Sequence, residues 1–237
     1  MTFNHLSRVH TNITLAENLV INLSNDVVHY LKTVLRLKIN DQFRIFNDRA
    51  GEYLAEIIST SKNGLEIRVL SCLRVPSVEP DLVLGICLIK IDKMLDAINM
   101  AVQLGVTEIT PLFSERSQMR SINYQRFLKC IREATEQSER LLVPHLNPLI
   151  SLHNYEPQPD EMIIYANEQE VLGNNIRLIK QFPARVSLII GPEGGFTSSE
   201  LKMLALMPGS VSISLGNNIL RTETATATAL AQIQIMR

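Results

Sequence analysis

The 237-residue sequence has few cysteines, no long apolar run, almost no net charge and none of the common phosphate-loop spacings. Cys72, Cys87 and Cys130 stand far apart, with no C-x-x-C pair and no Cys/His cluster, so neither a zinc site nor a disulfide framework is indicated. His5, His10, His29, His145 and His153 show neither triad nor metal-ligand spacing, and no metal is expected. A formal net charge of −1 leaves no global basic excess, so any surface for nucleic acid must be local. No stretch reaches membrane-spanning length, and residues 1–8 lack the apolar core of a signal peptide. A cytoplasmic protein without a membrane partner is therefore expected. Neither G-x-x-x-x-G-K-[ST] nor G-x-G-x-x-G occurs, which counts against a nucleotide-binding α/β protein.

What is present is an ordinary globular composition, 46% hydrophobic and 20% charged, which supplies enough apolar material for a core. Residues 1–72 read as β-rich. Short β-forming runs at 41–46, 53–58 and 65–69 are separated by turn signals at 40–41, 47–51 and 61–64, the pattern of a small barrel. One helix is expected at 26–35, with Val27, Tyr30, Leu31, Val34 and Leu35 as its apolar stripe. Residues 73–81, with Pro76 and Pro80, read as a linker. From 82 to 237 the pattern changes to strand–helix alternation. Strands are expected at 82–89, 106–112, 162–166, 186–190 and 211–215, with helices at 92–104, from Asn123 onward, at 170–181 and at 197–207. That alternation predicts an α/β domain with a mostly parallel sheet. The last segment mixes alternating threonines with small alanines and is read as a helix.

The stretch 187–226 organises the rest. Leu188-Ile189-Ile190 is a buried-strand run ended by Gly191-Pro192, and Gly194 and Gly195 permit positive φ or close approach to a ligand. Thr197 and Glu200 make a capping box with Phe196 and Leu201 at the staple positions. Val211 to Leu215 repeats the scheme, with Gly216 ending the strand and Thr222 or Thr224 as the next N-cap. Such a strand–loop–helix unit either binds a small ligand or is a pair of structural turns.

Gly191-Pro192-Glu193-Gly194-Gly195, then Leu215-Gly216 and Leu220-Arg221-Thr222-Glu223-Thr224-Ala225, resemble the signature of the SPOUT methyltransferases. Within that superfamily the chain is most similar to the RsmE family of 16S rRNA (uracil-1498-N3)-methyltransferases. Lys90-Ile91-Asp92-Lys93-Met94, Ser114-Glu115-Arg116-Ser117 and Glu133-Ala134-Thr135-Glu136-Gln137-Ser138 follow in that family's order, as do Tyr30 to Asp41 and Gly51-Glu52-Tyr53 in its PUA-like N-terminal domain. The resemblance implies a small PUA-like β-barrel that binds RNA, followed by a SPOUT α/β domain with a deep trefoil knot. It also implies S-adenosylmethionine as cofactor, 16S rRNA within the 30S subunit as substrate, and a homodimer. Three positions depart from the family: Met100 stands where Lys is common, Gln103 where Glu is common, and Glu139 where Gly is common. The first two suggest a lost ion pair, and the third places a carboxylate on the side expected to face RNA.

Candidate residues follow from both readings. Gly191, Gly195, Leu215 and Gly216 offer backbone groups to the cofactor; Ile190, Ile219 and Leu220 could wall its adenine or be plain core. Ala166 and Glu168 end a strand where a sheet ligand binds, and Thr222 and Ala225 belong to the second signature. Arg221 is the catalytic candidate, because it follows the second loop and could stabilise charge on uracil oxygens, or else form a structural ion pair with Glu193 or Glu223. Glu193 and Glu223 are the acidic candidates for a base, or simply hold the loops. For RNA, Lys32 and Arg36 are spaced i, i+4 on one helix face, and Arg116 and Arg120 lie in the 114–121 loop. Arg8 matches the family's early arginine near the RNA. The rival functions are a catalytically silent RNA-binding SPOUT protein and a SPOUT enzyme methylating a different position.

Overall fold

A computed structural model describes the chain apart from residues 1, 2, 4, 24, 62, 63, 169 and 171–175. It divides into two compact units, the first comprising Met1–Val78 with Thr135–Val143, the second Glu79–Ala134 with Pro144–Arg237.

The first unit is PUA-like. It holds β1 (Arg8–His10), β2 (Val20–Leu23), α1 (Asn25–His29), β3 (Gln42–Asn47), β4 (Gly51–Thr60) and β5 (Leu65–Arg74). They form one five-stranded sheet in the order β1-β3-β4-β5-β2. Pairing is antiparallel except between β1 and β3. Three register shifts between β4 and β5 mark irregularities of the kind that bend a strand pair and let a sheet coil. The alternating residues Phe43 and Ile45, Ala55 and Ile57, and Leu65, Ile67 and Val69 fill its core. The helix expected at 26–35 is instead α1 running directly into a π-helical turn, Tyr30–Val34, closed by Leu35 N donating to Tyr30 O at 3.0 Å. This breaks the i, i+4 geometry assumed for Lys32 and Arg36. Arg36 lies beyond the turn at φ +56, and Lys32 Nζ donates to Ser61 O (2.8 Å) and Gly64 O (3.1 Å).

Arg8 does not face outward. Its side chain is 3% exposed and donates from Nε to Glu52 Oε1 at 2.5 Å, while Nη1 and Nη2 reach the carbonyls of Thr135, Glu136 and Arg140. Its guanidinium also lies 4.1 Å from the Phe46 ring centroid. Burial lowers its pKa, and the hydrogen bond and charge of Glu52 oppose that. Arg44 and Arg74 converge on the same carboxylate, at 3.7 and 2.8 Å. A buried carboxylate surrounded by three guanidiniums is tolerable only because its charge is compensated.

Glu139 belongs to this cluster, with its side chain still 42% exposed. Its carboxylate accepts from Arg44 Nη2 at 2.8 Å, and its φ of +58 explains why glycine suits the position. The Arg44 hydrogen bond holds the Glu139 carboxyl below its usual range, against desolvation.

The second unit is α/β: β6 (Asp81–Cys87), α2 (Ile91–Gln103), β7 (Glu108–Phe113), α3 (Tyr124–Gln137, ending among first-unit residues), β8 (His145–Leu146), β9 (Ile150–Ser151), β10 (Met162–Ala166), β11 (Arg185–Ile190), α4 (Ser198–Leu206), β12 (Ser210–Ile213) and α5 (Thr222–Met236). The sheet runs β12-β10-β11-β6-β7-β8, all parallel, with β9 also beside β7. Leu82, Val83, Leu84 and Ile86 are at most 1% exposed, which is why β6 reads as a continuous apolar run. Asn123 Oδ1 accepts from Arg126 N at the start of α3, as its capping role requires. Of the helix expected at 170–181, residues 171–175 lie outside the described residues, and the described part contains a 3-10 turn, Ile176–Leu178. The threonine- and alanine-rich end is the helix α5, packed against α2 and β11. Met100 and Gln103 lie on α2, where Gln103 Nε2 donates to Asn99 Oδ1. Among the described residues no helix is long and apolar enough to cross a membrane.

The depressed Glu139 pKa fixes a sign. Its stabilising contribution is complete above the unfolded value of about 4.3 and is lost as pH falls through the lower folded value. The stability gap between wild type and Glu139→Gln, from urea unfolding, should be constant from pH 6 to 8 and close toward pH 3, as the linkage relation requires. An equal gap at both ends of that range would contradict the assignment.

Candidate active site

β10 lies between β11 and β12, so the chain leaves β10 on one side and returns on the other. Open parallel sheets bind ligands outside the carboxyl ends of their strands at such a reversal. The strand ends here carry the two glycine-bearing loops. The first leaves β11 at Ile190 and runs to Thr197, and the second leaves β12 at Ser214 and runs to Arg221.

A pocket lies between them, with about 770 Å³ of space including its open mouth and adjoining solvent. Ala166 and Glu168 line it from the end of β10, and Ile190, Gly191 and Gly195 from the first loop. Leu215, Gly216, Ile219 and Leu220 line it from the second loop, and Thr222 and Ala225 from the first turn of α5. All eleven candidate cofactor residues are thus brought together. Sequence reasoning missed Phe196 as a lining residue, having placed it only as a staple, and missed Asn217 and Asn218.

Local chemistry explains the shape. The capping box is complete: Thr197 Oγ1 accepts from Glu200 N at 3.3 Å, and Glu200 Oε2 accepts from Thr197 N at 2.8 Å. This sets where α4 begins and turns the first loop back over the sheet. Gly195 has φ +67, and a Cβ on Gly191 would meet the Phe196 ring at 3.1 Å. Gly216, at φ +126, would point a Cβ into open space, so its glycine serves the backbone turn alone.

Thr222 is not an N-cap. Arg221 holds that position with no side-chain cap, and Thr222, the first helical residue, donates from Oγ1 to Gly191 O at 3.2 Å. That hydrogen bond ties the second loop's exit to the first loop's entry. Thr226 Oγ1 in turn donates to Thr222 O at 2.7 Å.

The backbone N–H groups of Leu215, Asn217, Asn218, Ile219 and Leu220 have no acceptor among the described residues. Unpaired backbone donors beside a pocket are what a ligand rich in acceptors would satisfy.

The three catalytic candidates do not line the pocket. Arg221 is exposed beside it, between two lining residues, and its guanidinium has no ion pair or hydrogen bond among the described residues; the ion pair with Glu193 or Glu223 is therefore not formed. Glu193 is exposed and accepts from Gln118 Nε2. Glu223 is buried, with one oxygen 3.5 Å from Lys93 Nζ and the other unpartnered among the described residues. It faces α2. Lys93 has its pKa raised, first by its hydrogen bond to Asp96 and further by Asp96 and Glu223. Arg116 reaches the first loop, and Arg120 stacks 4.2 Å from the Phe113 ring centroid.

Gly195→Ala should lower stability by about 1–2 kcal/mol, the cost of a Cβ in the left-handed region. A built Cβ lies 2.7 Å from Glu168 Oε1, but that carboxylate can swing away, so adding Glu168→Ala should restore little. Chemical denaturation of the single and double variants measures both, and full rescue would show that crowding, not φ, is the constraint.

The comparisons agree with this geometry. An RNA methyltransferase domain matches residues 77–234, and an RNA methyltransferase PUA domain matches residues 23–70. A protein named Ribosomal RNA small subunit methyltransferase E from Rickettsia conorii is 46% identical over 233 residues, covering 97% of this chain and 96% of its own. A namesake from Buchnera aphidicola (Schizaphis graminum) is 32% identical over 243 residues, again 97% and 96% of the two chains. The crystal structure of a Ribosomal RNA small subunit methyltransferase E from Neisseria gonorrhoeae bound to S-adenosyl methionine has a TM-score of 0.88 at 27% identity, covering 98% of each chain. A Legionella pneumophila protein in complex with the cofactor SAM gives 0.85 at 29% identity over 97% of each. With a domain match over more than half its length and near-full-length kinship at 46% identity, the chain belongs to the ribosomal RNA small subunit methyltransferase E family of RNA methyltransferases.

Proposed function

We propose that this protein methylates N3 of a uridine of the position-1498 type in 16S rRNA of the small ribosomal subunit, using S-adenosylmethionine and acting as a homodimer. The observation that carries this reading is the two-loop pocket whose backbone donors, and Arg221 at its edge, are unpaired among the described residues. The relatives' name and the S-adenosyl methionine in the Neisseria structure support it.

The pocket fits such a cofactor. Ile190 and Leu220 supply apolar walls for an aromatic base, and the N–H groups of Leu215 and of residues 217–220, unpaired among the described residues, suit its ring nitrogens and hydroxyls. Glu168 adds a carboxylate, favourable beside a cation. The bound cofactor supplies an electrophilic methyl on a sulfonium.

The rest of the chemistry is the chain's own. Removing the N3 proton spreads negative charge over the uracil oxygens. Arg221 stands where a planar, permanently charged donor could stabilise that charge. Glu193 is engaged by Gln118 and Glu223 faces Lys93, so in this reading the proton leaves to solvent and neither carboxylate is the base. Of the basic residues assigned to RNA, Arg36, Arg116 and Arg120 are exposed, Arg116 being engaged with the first loop and Arg120 with the Phe113 ring. The homodimer is supported by exposed Ile219 (82%) and Ile235 (83%) in the second unit. The deep trefoil knot is part of the same proposal, supported by β12 pairing beyond β10 and by the return of α5 to Gly191.

Arg221→Ala should leave the S-adenosylmethionine Kd within about twofold and slow single-turnover methyl transfer by about 10²–10³-fold, as expected for removing one transition-state donor. Calorimetric titration and a rapid-quench assay on small subunits separate the two. Unchanged turnover would remove Arg221 from the chemistry.

A further inference from the structure

Residues 114–118, the first part of the 114–121 loop read from sequence as an RNA surface, are turned toward the first glycine loop. Arg116 Nη1 donates to Gly194 O at 2.6 Å and reaches Phe196 O at 3.5 Å. Its aliphatic stem lies against Gly194, where a built Cβ would be 3.4 Å from Arg116 Cδ. Gln118 Nε2 donates to Glu193 Oε2. The tip 193–196 is therefore held from outside at three points, Glu193, Gly194 and Phe196, while Gly191, Pro192, Gly195 and Phe196 line the pocket.

The holding loop is itself well anchored. Ser114 and Ser117 are buried, with their hydroxyls 2.9 Å apart, and Ser114 N donates to Ser117 Oγ at 3.0 Å. Glu200 joins the two segments. One of its oxygens accepts from Glu115 N at 2.8 Å while the other closes the capping box. Glu200 also approaches Glu115 and His153 in a trio with metal-like spacing, but both its oxygens already accept backbone N–H bonds, so the group is a structural joint.

The first loop needs such a device. Three of its first five residues are glycines, which lose the most conformational freedom on ordering. Its tip has one internal backbone hydrogen bond, Gly195 N to Pro192 O at 2.9 Å. A guanidinium with several fixed donors can bind two carbonyls of such a loop at once.

We propose that Arg116 and Gln118 are positioning residues of the cofactor site, forming a strap that holds the first glycine loop in the shape the pocket requires. The effect on cofactor affinity rests on the S-adenosylmethionine reading above; the effect on the loop does not. Arg116 then serves the enzyme through the loop backbone and not through RNA phosphates.

The test uses the full-length protein with Arg116→Ala, Arg116→Lys and Gln118→Ala. Amide hydrogen exchange of the 191–197 segment, measured without ligand, should quicken in Arg116→Ala and recover partly in Arg116→Lys, whose single ammonium can still reach Gly194 O. In calorimetric titrations the S-adenosylmethionine Kd should rise about tenfold in Arg116→Ala, the lower end for losing a charge-assisted hydrogen bond. The Gln118→Ala variant should show a smaller rise. The rate at saturating cofactor and the salt dependence of small-subunit binding should stay at wild-type values.

Unchanged exchange of 191–197 in the free Arg116→Ala protein overturns the strap. So does an unchanged cofactor Kd accompanied by a shallower salt slope, which would make Arg116 a phosphate contact. Failure of the wild type itself to bind S-adenosylmethionine overturns the functional reading instead, with the exchange data still deciding the strap.

Discussion

The hydrogen bond from Thr222 Oγ1 to Gly191 O joins the two segments on which the site depends. Parallel pairing of β10 with β11 and β12 delivers both loops to the same end of the sheet, but loops delivered side by side need not face each other. Thr222 starts α5, and Gly191 ends the buried run of β11, so their contact sets the spacing between a helix start and a strand end. The Arg116 contacts fix the far side of the first loop, and the Thr197–Glu200 box fixes its exit. Among the described residues the second loop has no comparable set of backbone bonds, and five of its N–H groups find no acceptor. One wall is therefore held by the protein's own bonds, and the other keeps donors that a ligand could satisfy, an arrangement that favours pre-organisation where the loop is richest in glycine.

In the first unit charge is handled inside the structure. Glu52, 2% exposed at its side chain, gathers Arg8, Arg44 and Arg74, and Arg8 caps three carbonyls of 135–140 as well. Clusters of this kind are not strong sources of net stability, since desolvation offsets much of the attraction, but removing one partner leaves the others buried and uncompensated. Basic residues counted from the sequence are thus a poor measure of the charge presented to RNA, because several are already committed. Glu139 fits the same economy of charge: the acid that departs from the family pattern is matched by Arg44.

Local signals were legible in the sequence. The buried run of β6, the capping box of α4, the positive φ of Gly195 (though not of Gly194) and the helical end all depend on neighbours within a few residues, and the structure contains each of them. The clustering of the cofactor candidates followed from the rule for parallel sheets together with the family resemblance. What could not be read depends on residues far apart in the chain. Arg8 and Thr135 are 127 residues apart, and Arg116 and Gly194 are 78 apart, so neither arginine's partner has a local signature. Thr222 was misread for a related reason: a threonine at a helix start suggests a cap, and only the tertiary position of Gly191 makes its hydroxyl a link between loops. The π-helical turn after α1 likewise leaves no mark in an apolar stripe that fits an α-helix equally well.

The central claim is that this two-loop pocket serves methyl transfer to one uridine of small-subunit rRNA. The most direct measurement incubates small subunits lacking the modification with the protein and labelled S-adenosylmethionine, then maps the label by mass spectrometry of digested rRNA. The account predicts one N3-methyluridine in the decoding region. A methyl on another base or on a ribose, or none from a protein that binds the cofactor, would contradict it.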